Sequence, residues 1–85
     1  MKIIQITAGL LSTNCYLIIN SEASRAILVD SPPDSKNYVL ETLRKEQVQL
    51  EAILLTHSHW DHFADANPIK RSTGASLFIH KDDYY

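Results

Sequence analysis

Three of the chain's four histidines fall within residues 57–62, in the run Thr56-His57-Ser58-His59-Trp60-Asp61-His62. A carboxylate stands among them. Imidazole and carboxylate are the ligands that borderline divalent ions such as zinc and iron accept. In extended backbone, residues two apart point the same way, so His57 and His59 can pinch one ion and Asp61 continues the row. A turn after Asp61 sends His62 toward a second centre nearby. A loop built only for solubility uses turn formers, not three imidazoles around a carboxylate.

Such a run needs a rigid support, and the preceding residues offer one. Ala52-Ile53-Leu54-Leu55 has the length and composition of a buried strand, so the histidines belong to a loop at a strand end. Upstream, Lys2–Thr7, Thr13–Asn20 and Arg25–Asp30 read as three strands, with Gly9 as the first break and Ser21–Ser24 as a hairpin turn. In the second of these, Tyr16, Ile18 and Asn20 share one face, and Cys15, Leu17 and Ile19 share the other. Both faces are largely apolar, which predicts a sheet covered on both sides. Ser31-Pro32-Pro33 ends that part of the sheet. Asp34 or Ser35 is placed to cap a helix reaching about Gln47, with Val39, Leu40 and Leu43 as its apolar stripe. Glu51–Thr56 is the fourth strand. Asn67-Pro68 resembles a cap followed by a first-turn proline, opening a short helix that ends near Thr73 with Gly74 as its stop. Ser76–His80 is the fifth strand. The order βββαβαβ predicts a sheet faced by helices.

The run reads T-H-x-H-x-D-H and resembles the signature of the metallo-β-lactamase-fold hydrolases. It is most similar to the glyoxalase II-like (hydroxyacylglutathione hydrolase-like) branch. Thr13–Ile18, Ala26–Asp30 and Ser72–Ala75 match the family in the same order along the chain. The resemblance implies an α/β (α+β) fold: the N-terminal half of an αββα sandwich, with a mixed, mostly antiparallel sheet and helices on one face. It implies that His57 and His59 bind a first metal, and Asp61 and His62 a second, with zinc the expected ion and iron or manganese the substitutes. Two cations about 3.5–4 Å apart clamp a water and polarise a substrate oxygen, so a hydroxide forms near neutral pH and attacks an ester or thioester. Asp61, as in the family, also receives or orients the water's proton, which makes it the catalytic residue.

Asp30 matches the family's supporting aspartate, which steadies the metal loop. It equally reads as a strand-end residue capping the turn into Ser31. Two departures from the family's pattern stand out. Pro32 occupies the place of a usual glycine, and Ala64-Asp65 the place of a usual glycine pair. Similar signatures occur in iron-dependent persulfide dioxygenases, so an oxidoreductase is the alternative function, and a non-catalytic metal-binding fragment is a third. His80 reads first as a surface residue at a strand end. Cys15 reads as core filler, and Trp60 as a packing residue within the run.

The family's catalytic domain is more than twice as long, and the resemblance places its remaining ligands later in the chain. Residues 1–85 are therefore expected to be a single partial domain, inactive alone. Its inner sheet face would lie open, which predicts self-association. Net charge is -2 with no basic block, so a nucleic-acid partner has no support. No apolar run approaches the roughly 18 residues of a membrane span. The one cysteine and the absence of a signal-peptide pattern fit the cytoplasm. The expected partner is a small ester or thioester substrate. Because metal ligation requires neutral imidazoles, zinc affinity is expected to fall as pH drops below about 6.5. A zinc titration that is flat between about pH 5 and 7.5 would remove the imidazoles from the ligand set.

Overall fold

Alternation along the second strand decides the two faces of the sheet. The computed structural model describes residues 1–9, 12–56 and 64–79. Within them lie β1 (Lys2–Ala8), β2 (Thr13–Asn20), β3 (Arg25–Val29), α1 (Lys36–Glu46), β4 (Gln49–Leu55), α2 (Ala66–Thr73) and β5 (Ser76–Ile79). On β2, Cys15, Leu17 and Ile19 are fully buried, and Asn14, Tyr16 and Asn20 are exposed. This is the two-residue period of a sheet with one face covered. The predicted element order holds, and most boundaries move by one or two residues.

The five strands lie in sequence order, β1-β2-β3-β4-β5. β1, β2 and β3 pair antiparallel through short turns. β4 and β5 each return by a helix and pair parallel. The sheet is mixed as predicted, but its pairings divide evenly between antiparallel and parallel. The cause is the two helical crossovers, since a parallel neighbour cannot be reached by a tight turn.

One irregularity sets the core. Ala26 pairs with Leu50, but Ile27 pairs with Ala52, so the register skips Glu51. Strict alternation from Leu50 would turn Ile53 and Leu55 to the other face. The bulge restores them, and Leu50, Ile53 and Leu55 all join the core with Leu17, Ile19 and Leu28. Val39 and Leu43 of α1 and Ala66 and Ile69 of α2 cover the same face. Both helices therefore lie on one side, as predicted.

The other face carries continuous apolar rows. Ile3 pairs with Ile18, Ile18 with Ile27 and Ile27 with Ala52. Beside it, Tyr16 pairs with Val29, Val29 with Leu54 and Leu54 with Phe78. Ile3 is 63% exposed and Phe78 55%. Apolar surface of this continuity favours burial against another surface. Sedimentation velocity of the 85-residue chain at micromolar concentration is expected to show self-association, reduced by Phe78→Lys. A wild-type chain that sediments wholly as monomer would contradict this.

Candidate functional site

β3 and β4 run parallel and so end at the same edge of the sheet. The carboxyl ends of parallel strands are where open α/β sheets bind their ligands. Asp30 follows β3 there, and Thr56 follows β4. The histidine run begins at the next residue. His57, His59, Trp60, Asp61, His62 and His80 lie outside the described residues. The site is therefore built from the residues that hold the run at its two ends.

The leading end is held by Asp30. Its backbone N–H donates to the Leu54 carbonyl at 2.8 Å. Its side chain then reaches across to β4. Oδ1 accepts the Thr56 N–H at 2.8 Å, and Oδ2 accepts the Thr56 hydroxyl at 2.7 Å. Asp30 as a whole is 5% exposed, so these charge-assisted bonds form in a partly dehydrated setting, where they are stronger than in water. Asp30 adopts the left-handed conformation with φ 69°. Aspartate tolerates that region better than most residues. Pro32 occupies the usual glycine's place, and the backbone reversal falls instead on Asp30 and on Asp34, with φ 66°.

The trailing end is held by Asp65. Its N–H donates to the Ser31 carbonyl at 2.9 Å. Its Oδ2 accepts the backbone N–H of Lys36, the first residue of α1, at 2.9 Å. This corrects the expected caps. Ser35 occupies the cap position of α1, but its hydroxyl donates to the Pro32 carbonyl at 2.7 Å. The acceptor for the helix comes from Asp65, 29 residues away along the chain. A carboxylate at a helix N-terminus also meets the positive end of the helix dipole. The start of α2 moves as well. The helix opens at Ala66 with Asp65 as its cap residue, so Asn67 and Pro68 fall inside its first turn. Proline is tolerated there because first-turn N–H groups have no intrahelical partner. The far end is as predicted: Gly74 turns left-handed and its N–H bonds the Lys70 carbonyl at 2.7 Å.

Two buried groups lie close to these ties. Ser31 is fully buried, and its hydroxyl has no hydrogen-bond partner among the described residues. Cys15 is fully buried too. Its thiol is pushed up from 9.0 to about 12, first by loss of hydration and second by the charge of Asp30. It packs as a small apolar residue, as the sequence suggests, and is no nucleophile at neutral pH. A cavity of about 590 Å³, lined by Arg25, Leu40, Val48, Gln49 and Thr73 among others, opens at the opposite end of the strands, away from Asp30 and Thr56.

A family model described as the metallo-beta-lactamase superfamily matches residues 8–85. The chain is 33% identical over 75 residues to "Probable polyketide biosynthesis zinc-dependent hydrolase PksB" of Bacillus subtilis, covering 86% of this chain and 33% of that protein. It is 45% identical over 47 residues to a "Hydroxyacylglutathione hydrolase-like protein" of Gallus gallus, covering 55% of this chain and 16% of that one. The crystal structure of the BLEG-1 B3 metallo-beta-lactamase superposes with a TM-score of 0.86 at 28% identity, over 95% of this chain and 38% of that chain. An uncharacterized protein of Mycobacterium tuberculosis is 31% identical over all 85 residues, which span 38% of its length.

The Asp30 tie has a measurable weight. Removing a buried acceptor of two charge-assisted bonds costs about 2–3 kcal/mol. Asp30→Ala is expected to lower the unfolding free energy by about that much in urea denaturation. Asp30→Asn keeps an acceptor and tolerates the left-handed backbone, so it should lose clearly less. Equal stability of wild type and Asp30→Ala would show that the contact carries little.

Proposed function

We propose that this chain, which belongs to the metallo-beta-lactamase superfamily, binds divalent metal through its histidine run and forms part of a hydrolase for esters or thioesters. The observation that carries this reading is the pair of hydrogen bonds that Thr56, the residue directly before His57, donates to the Asp30 carboxylate. It anchors the root of the run at the ligand-binding edge of the sheet. The donor set fits a zinc-like ion: three imidazoles and a carboxylate, all of types that zinc accepts. The names of two relatives point the same way, one a zinc-dependent hydrolase and one hydroxyacylglutathione hydrolase-like.

In this reading His57 and His59 hold one ion, and Asp61 and His62 hold another. Bound there, the metal supplies Lewis acidity toward a substrate oxygen and an acidified water. Asp61 would receive or orient the proton of such a water on its carboxylate. Asp30 does not touch the ions; it fixes the backbone from which His57 departs, as supporting groups in metal sites do. The 85 residues bring two protein ligands to each ion, whereas a catalytic zinc usually keeps three. Turnover therefore belongs to an assembly with further ligands, from a longer chain or a second copy. The one cysteine supports a cytoplasmic setting. Among the described residues no helix is long and apolar enough to cross a membrane.

Zinc titration against a chromophoric chelator tests the reading. The 85-residue chain is expected to bind zinc, and the His57→Ala/His59→Ala variant to bind it much more weakly. Equal affinity of the two would overturn it. Elemental analysis separates the hydrolase from the oxidoreductase alternative, because a single iron with oxygen uptake would favour the latter.

A further inference from the structure

We propose that Asp65 is a positioning residue for the metal-binding run, clamping its trailing end as Asp30 clamps its leading end. The inference rests on the metal-binding reading above. Eight residues, 57–64, separate Thr56 from Asp65. Both of these flanking residues are tied to the same short connection between β3 and α1. Thr56 is bonded to Asp30, and Asp65 is bonded to Ser31 and Lys36. The separation of the run's two ends is therefore set by the 30–36 segment, whose own turn is closed by the Ser35 N–H and hydroxyl, both donating to the Pro32 carbonyl.

The direction of the Asp65 side chain is the telling detail. Asp65 occupies the cap position of α2, yet its carboxylate makes no capping bond to that helix. It is directed instead to the first N–H of α1. A residue serving only its own helix would accept from the second or third N–H of α2. Here the carboxylate links two elements, and the backbone N–H of the same residue makes a second link to Ser31. Two bonds from one residue fix its position and its orientation. With the residues on both sides of 57–64 held in this way, less entropy is lost when several side chains of one segment bind one ion.

Zinc affinity of the 85-residue chain, read by chelator competition with zinc ion alone as the probe, tests this. Asp65→Ala removes the acceptor and is expected to weaken binding about 10- to 100-fold, the range seen for supporting residues of metal sites. Asp65→Asn keeps an oxygen for the Lys36 N–H and should restore affinity to within about threefold, where a direct ligand would not be rescued. Val39→Ala, which loosens α1 from its buried side, controls for general destabilisation and should leave zinc affinity unchanged, with circular dichroism confirming that each variant is folded. Wild-type affinity in Asp65→Ala overturns the clamp. So does equal weakening in Asp65→Asn, or in Val39→Ala. These results leave the metal reading standing as long as wild type still binds zinc and the His57→Ala/His59→Ala variant binds it much more weakly. If those two bind alike, the metal reading falls and the clamp falls with it.

Discussion

A single carboxylate, that of Asp30, joins the two strands whose ends form the candidate site. Parallel pairing brings the end of β3 beside the end of β4, but pairing alone stops at Leu54. Beyond it, the ladder is continued by the Asp30 N–H on the Leu54 carbonyl, then by both carboxylate oxygens on Thr56. The side chain thus substitutes for a strand residue and carries the order of the sheet one step into the loop. It does so from a left-handed backbone that glycine, asparagine and aspartate accept more readily than other residues. The left-handed turn at Asp30 and the order at Thr56 are two ends of one arrangement.

The rest of the fold supplies that arrangement with a stiff base. The core forms on one side of the sheet only, from alternate residues of β2 and β3, the bulged β4 and the apolar stripes of both helices. Gly9 shows how tightly the nearby turns are fitted. A methyl group there would come within 3.2 Å of the Pro33 carbonyl, and its φ of 82° already favours glycine. The turn between β1 and β2 therefore packs directly on the proline segment that follows Asp30.

Much of this was legible from residue order. The period-two pattern of Thr13–Asn20 placed Cys15, Leu17 and Ile19 on one face, and they are buried there. Gly74 marked the end of α2 correctly because its cue is local. What escaped is non-local. The cap of α1 was sought in Asp34 or Ser35, its neighbours, whereas the acceptor lies beyond β4. No periodicity encodes a bond between residues 36 and 65. The bulge at Glu51 was hidden for the same reason, since it exists only relative to the register of β3. At the site, Asp30 was legible as a candidate, and its bonds to Thr56 are what the structure adds. Asp65 stands where the family's glycine pair usually falls and reads from the sequence as a local cap or bridge, whereas its carboxylate bonds the distant Lys36 N–H. His57, His59, Asp61 and His62 lie outside the described residues, and their ligand role is the proposal made above.

Burial of Cys15 has a practical side. A thiol whose proton is held to about pH 12 neither competes with imidazole for zinc nor exchanges into intermolecular disulfides while the sheet is intact. Any association of copies would then be non-covalent and indifferent to reductant. The same sulfur becomes reactive once β2 leaves its neighbours, so alkylation rate serves as a native gauge of how often the chain opens.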